Sequence, residues 1–94
     1  MRTDLVVQLV INIISEQEGI IGPLAVEQAQ KVRGLQLDWP HKEVSITGDV
    51  KKVIENLVIQ YEKIFGQTSI EVCKQIAHSM QPALDKSQIP TMLQ

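Results

Sequence analysis

The sequence predicts an all-α domain of four helices, built from two helix-Gly-helix hairpins in a tandem internal repeat. Six residues of segment 4–33 recur unchanged 44 positions later, and the alignment needs no gap. Apolar residues between them are matched by other apolar residues. A period of roughly 20 to 50 residues indicates a repeated supersecondary unit. The identical pairs are Val6 and Val50, Asn12 and Asn56, Glu18 and Glu62, Ile20 and Ile64, Gly22 and Gly66, and Glu27 and Glu71.

The chain of 94 residues is long enough for one hydrophobic core. Repeat one covers about 4–33, a linker covers 34–48, repeat two covers about 49–81, and a tail covers 82–94. We interpret this organisation as a single helical domain in which pseudo-twofold symmetry relates the two hairpins. Short strands in the linker are compatible with its sequence but are not required by it.

The first helix is predicted over about 4–19, with Thr3 or Asp4 as its N-cap. Its many β-branched residues also fit a strand. The matching segment of repeat two has apolar residues at spacings of three, four and one, which is the pattern of an amphipathic helix. Because the two copies align without a gap, we expect the first segment to be helical as well.

A glycine follows the first helix of each hairpin. Gly22 and Gly66 suit a left-handed cap, because glycine tolerates a positive φ. The second helix is then predicted over about 23–32, and the fourth over about 69–80. The two copies use different residues after the glycine, yet both indicate that one helix stops and another begins.

Capping residues are predicted at the start of the third and fourth helices. Thr68 and Glu71 have the spacing of a capping box. Ser45, Thr47 or Asp49 is expected to cap the third helix, because each has a short polar side chain just before the periodic apolar segment. These residues predict where the two helices of repeat two begin.

Composition argues against several classes of function. The net charge is −2 and the basic residues do not cluster, whereas contacts with nucleic acid phosphates need a basic stripe. The apolar run 5–14 is too short to span a bilayer. A single cysteine excludes an intrachain disulfide and a cysteine-based zinc cluster, and a reducing cytoplasm is the expected compartment. We therefore expect no nucleic acid, no membrane partner, no metal and no cofactor.

The first helix has a broader apolar surface than its counterpart in repeat two. Val7 and Ile11 correspond to Lys51 and Glu55 in the second copy. A helix that is apolar around so much of its circumference needs cover on two sides. We call Val7, Ile11 and Ile14 the helix-one stripe. The predicted interaction surface consists of Val7, Ile11, Ile14 and Trp39.

Three kinds of cover for the helix-one stripe remain open. The first is the chain's own tail or linker, through Leu84, Ile89 and Leu93, or through Trp39. The second is another copy of the chain, which would make a symmetric dimer through the first helix. The third is a different protein or a parent domain. These alternatives differ in whether the stripe is buried inside the monomer.

Few side chains suggest chemistry. His41 is expected to be a solvated linker residue, and His78 an exposed helical one. Cys73 lies on an apolar face, which predicts a buried and unreactive thiol. Glu27 and Glu71 lie in first helical turns, where acids complement the helix dipole. No catalytic, metal-binding or cofactor-binding residue is predicted.

The segment 20–25, Ile-Ile-Gly-Pro-Leu-Ala, resembles the Ile-Gly-Pro-x-Ala motif of a small bacterial helical domain. That domain, largely cyanobacterial, is found at the C-terminus of signalling proteins, including Ser/Thr kinases and Roadblock-like regulators. The resemblance covers about the first 35 residues, and the second copy departs from it with Gln-Thr-Ser at 67–69. It implies a regulatory or adaptor role and no catalytic residues.

These observations predict a non-enzymatic protein–protein interaction or oligomerisation module in bacterial cytoplasmic regulation. Its partner is expected to be a second copy of the chain or another regulatory protein. The alternative is a small acidic carrier or enzyme accessory protein. A carrier needs an attachment serine, and the nearest string to such a site is Thr-Ser-Ile at 68–70.

Overall fold

The computed structural model describes residues 5–81, 84 and 89–94, and four helices account for most of them. The two N-cap candidates of the first helix, Thr3 and Asp4, lie outside the described residues. The helices are α1 (Leu5–Ile21), α2 (Leu24–Gln30), α3 (Val50–Phe65) and α4 (Gln67–Ser79). The strands are β1 (Leu35–Asp38) and β2 (Glu43–Ile46), and single 3-10 turns cover Trp39–His41 and Thr91–Leu93.

The linker forms a two-stranded antiparallel hairpin, so the fold is mostly helical and not all-α. Residues alternate in side-chain direction along a strand, and the register pairs Leu35 with Ile46 and Leu37 with Val44. These four apolar side chains therefore share one face, which packs against the core. The residues between them are polar and exposed. This period-two alternation is the physical reason why the linker is extended and not irregular.

The helical prediction for segment 5–14 is confirmed, and α1 continues two residues beyond its predicted end at Gly19. The second helix is shorter than predicted, because it ends at Gln30. Asp49 is confirmed as the cap of α3, since its carboxylate accepts a hydrogen bond from the Lys52 amide at 3.3 Å.

The two glycine turns have closely similar geometry. Gly22 and Gly66 have φ values of +69° and +67°. Each amide donates to the carbonyl four residues earlier, on Glu18 at 2.8 Å and on Glu62 at 2.6 Å. A side chain would strain either position, because positive φ favours glycine.

The predicted capping box at the start of α4 is wrong. The helix begins one residue after Gly66, at Gln67, and no side chain caps it. Thr68 therefore lies inside the first turn. The carboxylate of Glu71 accepts a hydrogen bond from Gln67 Nε2 at 3.3 Å, which is a contact along the helix surface.

The core lies where the two hairpins pack together. Within each hairpin, α1 packs on α2 and α3 packs on α4; between them, α1 contacts α4 and α2 contacts α3. Five buried positions of α1 have buried counterparts 44 residues later in α3, and the same holds for both buried positions of α2 in α4. The matched pairs are Leu9 and Val53, Val10 and Ile54, Ile13 and Leu57, Ile14 and Val58, Gln17 and Tyr61, Ala25 and Ser69, and Ala29 and Cys73.

Two buried polar side chains reach from one hairpin to the other. Tyr61 Oη donates to the carbonyl of Ala25 at 2.8 Å, and Gln17 Nε2 donates to Cys73 Sγ at 3.8 Å. Gln17 and Tyr61 occupy matching positions, and each reaches the second helix of the opposite hairpin. These two hydrogen bonds therefore join the helical hairpins to each other through the core.

Candidate functional site

The structure brings Ile14 and Trp39 into the interior and leaves Val7 and Ile11 half-buried. Ile14 is fully buried and Trp39 is only 9 % exposed. Neither side chain is therefore available on the exposed surface predicted for it. Ile14 belongs to the core between the two helical hairpins, and Trp39 is carried inward because the linker folds into a β-hairpin that contacts α1.

Two hydrogen bonds join the tip of the β-hairpin to α1, on the side of the helix that carries Ile11. Trp39 Nε1 donates to Glu18 Oε2 at 3.2 Å, and Lys42 Nζ donates to Ser15 Oγ at 3.5 Å. Ser15 and Glu18 lie four and seven residues after Ile11, so all three share one side of the helix. Of the three covers left open by the sequence, these contacts favour the chain's own linker. The end of the tail packs instead on α4.

The titratable side chains singled out from the sequence do not converge on a site. His41 is exposed and its Nδ1 lies 3.0 Å from Asp38 Oδ2, while His78 is exposed on α4. Among the residues that the structure describes, no group of three or more His, Cys, Asp or Glu side chains is placed to hold a metal ion. Ser69 is buried and donates to the Tyr61 carbonyl at 3.1 Å. It is therefore not accessible as a carrier attachment serine.

Burial of Cys73 is confirmed, and burial raises the pKa of its thiol to about 11. A hydrogen bond from Gln17 offsets part of this shift. Burial also raises the pKa of Tyr61, with smaller contributions from Cys73 and Glu18. Both groups are held neutral in the core, so neither is activated as a nucleophile or base.

The raised pKa of Cys73 predicts a loss of stability in alkali. The thiolate is favoured in the unfolded chain, whose pKa is near 9. Stability should hold below about pH 9 and fall by about 1.4 kcal/mol per pH unit towards pH 11. The free energy of unfolding in urea at pH 8, 9 and 10 measures this slope. Cys73→Ala, which imports the matching Ala29, should flatten it; equal slopes for both proteins would contradict the assignment.

Exposed apolar side chains cluster next to the two glycine turns. Within the described residues, the large hydrophobic side chains that stay exposed are Ile20, Leu24, Ile64 and Phe65, with exposures of 46 %, 37 %, 38 % and 41 %. We call these four residues the apolar end. Apolar residues scattered singly over a surface need no explanation, but a contiguous patch indicates an interaction site.

Contacts across the core show that both turns lie at the same end of the molecule. Tyr61 lies in the last turns of α3, and its hydroxyl bonds the carbonyl of Ala25, three residues after Gly22. Gln17, near the end of α1, likewise reaches Cys73, seven residues after Gly66. The C-terminal ends of α1 and α3 therefore lie at the same end of the molecule, which places both pairs of exposed apolar residues there.

Sequence reasoning missed the apolar end. Ile64 and Phe65 continue the apolar periodicity of α3, and from the sequence they belong to its buried face. One signal was available: Ile20 and Ile64 are an identical pair in the repeat, and each stands two residues before its glycine. A residue at that place lies beyond the last full turn packed on the core.

In the part of the chain that the structure describes, no helix is long and apolar enough to cross a membrane. Comparisons of the chain with protein-family models, with curated proteins and with solved structures found no match.

Proposed function

We propose that this chain is a non-enzymatic protein–protein interaction or oligomerisation module that acts in bacterial cytoplasmic regulation. Its partner is a second copy of the chain or another regulatory protein. The observation that carries the proposal is the apolar end, where four large side chains stay exposed beside two rigid glycine turns. The resemblance of segment 20–25 to a bacterial signalling domain adds the regulatory setting.

The size of the apolar end favours a transient association. Complete burial of a large apolar side chain contributes roughly 1.5 to 3 kcal/mol. Each of these four side chains is already more than half covered, so a partner adds about 1 kcal/mol for each one. A small patch of this kind is typical of a weak, reversible signalling contact.

We also propose that the two hairpins are a tandem internal repeat. Support comes from the matched burial of α1 with α3, the matched φ values of Gly22 and Gly66, and the paired hydrogen bonds across the core. In this view the apolar end is itself duplicated, since Ile20 and Ile64 are equivalent. The β1–β2 hairpin lies in the linker that joins the two copies.

Photo-crosslinking in the native host tests the functional proposal. A benzoylphenylalanine at position 65 or 20 should give one discrete adduct, either at twice the mass of the chain or with one other protein. Matched exposed positions 36, on the outer face of β1, and 51, on α3, should give none. Equal adducts at all four positions, or adducts only at 36 and 51, would contradict the proposal.

A further inference from the structure

Glutamates are concentrated in the two chain segments that carry the apolar end. The segments 16–28 and 60–72, which contain both glycine turns, carry five glutamates and one lysine, whereas the whole chain has a net charge of only −2. The lysine is Lys63, and it is exposed. The rest of the chain is therefore net positive, so the acidic residues are concentrated in these two segments.

The glutamates stand beside the apolar side chains along the same helices. Glu16 precedes Ile20 by four residues, and Glu27 follows Leu24 by three. Residues three or four apart on a helix are surface neighbours. Glu16 and Glu27 are both exposed. Glu62 stands three residues before Phe65 in the same way, and it is half-buried.

Resting on the proposed function, we propose that the apolar end binds a segment of another protein in which apolar side chains are flanked by Lys or Arg. The apolar side chains of such a segment cover Ile20, Leu24, Ile64 and Phe65, and its basic residues face the surrounding glutamates. An amphipathic helix with basic residues along the edges of its apolar face has this chemistry. Complementary charge gives the contact its specificity and increases the rate of association.

Charge also distinguishes a basic partner from two alternatives, a second copy of the chain and an anionic membrane, as the group that binds the apolar end. A second copy meeting the same end would bring the same glutamates against them, and like charges across an interface oppose association. An anionic phospholipid surface would be repelled for the same reason, because membrane binding of this kind relies on Lys and Arg. The apolar end therefore favours a basic partner over both.

A pair of designed peptides tests the inference. One is a 14-residue amphipathic helix of Leu and Lys, and the other has Glu in place of every Lys. We expect the Leu/Lys peptide to shift the amide resonances of segments 18–24 and 62–67 and to bind at least tenfold more tightly than the Leu/Glu peptide. The affinity of the Leu/Lys peptide should fall when NaCl is raised from 50 to 500 mM, because salt screens the charges.

Two pairs of variants control for net charge and for the apolar contact. Glu16→Lys with Glu27→Lys should weaken binding of the Leu/Lys peptide at least tenfold. Glu43→Lys with Glu55→Lys changes the net charge equally at other places and should weaken it less than threefold. Ile64→Ser with Phe65→Ser should remove the shifts at 18–24 and 62–67.

The outcomes separate this inference from the proposed function. If the Leu/Glu peptide binds as tightly, and Ile64→Ser with Phe65→Ser removes its shifts, the basic partner is refuted while an apolar docking end stands. If the Leu/Lys peptide leaves the apolar end unshifted, or both glutamate pairs weaken it equally, the inference is overturned. Binding to vesicles rich in phosphatidylserine without binding to the peptide would overturn it in favour of a membrane. The photo-crosslinking experiment tests the proposed function separately, whatever the result with the peptides.

Discussion

Gly34→Ala is expected to destabilise the fold by about 3 kcal/mol, and Gly48→Ala by only about 1 to 2 kcal/mol. Both glycines have a positive φ, at +89° and +86°, so both variants incur the same backbone strain. The two glycines differ in the space available for an added Cβ. A Cβ on Gly34 would lie 2.7 Å from the Thr47 carbonyl oxygen and 2.9 Å from Val53 Cγ2, whereas one on Gly48 meets nothing within 4 Å.

The difference between the two variants measures how closely the base of the hairpin approaches α3. Gly34 also accepts a hydrogen bond from the Thr47 amide at 2.8 Å, so its backbone has little room to move. Urea unfolding followed by the fluorescence of Trp39 gives both free energies. Equal losses for the two variants would mean that Gly34 does not lie against Thr47 and Val53.

Trp39→Ala is expected to cost about 3 to 5 kcal/mol of unfolding free energy, which is the usual loss for truncating a buried aromatic side chain. The indole is 9 % exposed and fixes the hairpin tip to α1 through Glu18. Without it, the apolar face of the hairpin loses its anchor, and the half-buried stripe residues Val7 and Ile11 become more accessible to solvent.

Two conservative variants separate packing from hydrogen bonding at this contact. Trp39→Phe keeps an aromatic ring but removes the indole donor, and Glu18→Gln keeps an acceptor for it. We expect a loss of about 1 to 2 kcal/mol for Trp39→Phe and less than 1 kcal/mol for Glu18→Gln. Circular dichroism with urea titration measures all three. A loss below 1 kcal/mol for Trp39→Ala would show that the hairpin does not cover α1.

The helices and their turns could be predicted because two segments of the sequence, 44 positions apart, have similar patterns of apolar residues and glycine. Segment 5–14 alone fits a strand as well as a helix, and only its match to the amphipathic pattern of α3 decides between them. Gly22 and Gly66 support one another in the same way. The predicted ends were less accurate, since α2 stops at Gln30 and α4 starts without a side-chain cap.

The β-hairpin was harder to predict, because each strand has only four residues and the turn uses unusual geometry. Lys42 adopts φ +52° without being glycine, so no glycine marks the left-handed position of the turn. The alternation of Leu35 and Leu37, then Val44 and Ile46, is visible in the sequence. What the sequence lacks is a sign that this short ribbon folds back on α1, and this contact is what buries Trp39.

The apolar end depends on topology and could not be found by local pattern. Ile20 and Leu24 are separated from Ile64 and Phe65 by about 40 residues, and each pair looks like the edge of an ordinary core face. The contact of Tyr61 with Ala25 places the C-terminal ends of α1 and α3 at the same end of the molecule, and this arrangement brings the two pairs to that end.

That arrangement is the central claim, and paramagnetic relaxation tests it most directly. A nitroxide attached to a cysteine at position 23, in the Cys73→Ala background, lies beside the first glycine turn. We predict that it broadens the amide resonances of residues 62–67 more strongly than those of 50–53, because α3 is about 24 Å long and only its C-terminal end lies near the label. Stronger broadening at 50–53 would place the two turns at opposite ends and contradict the account.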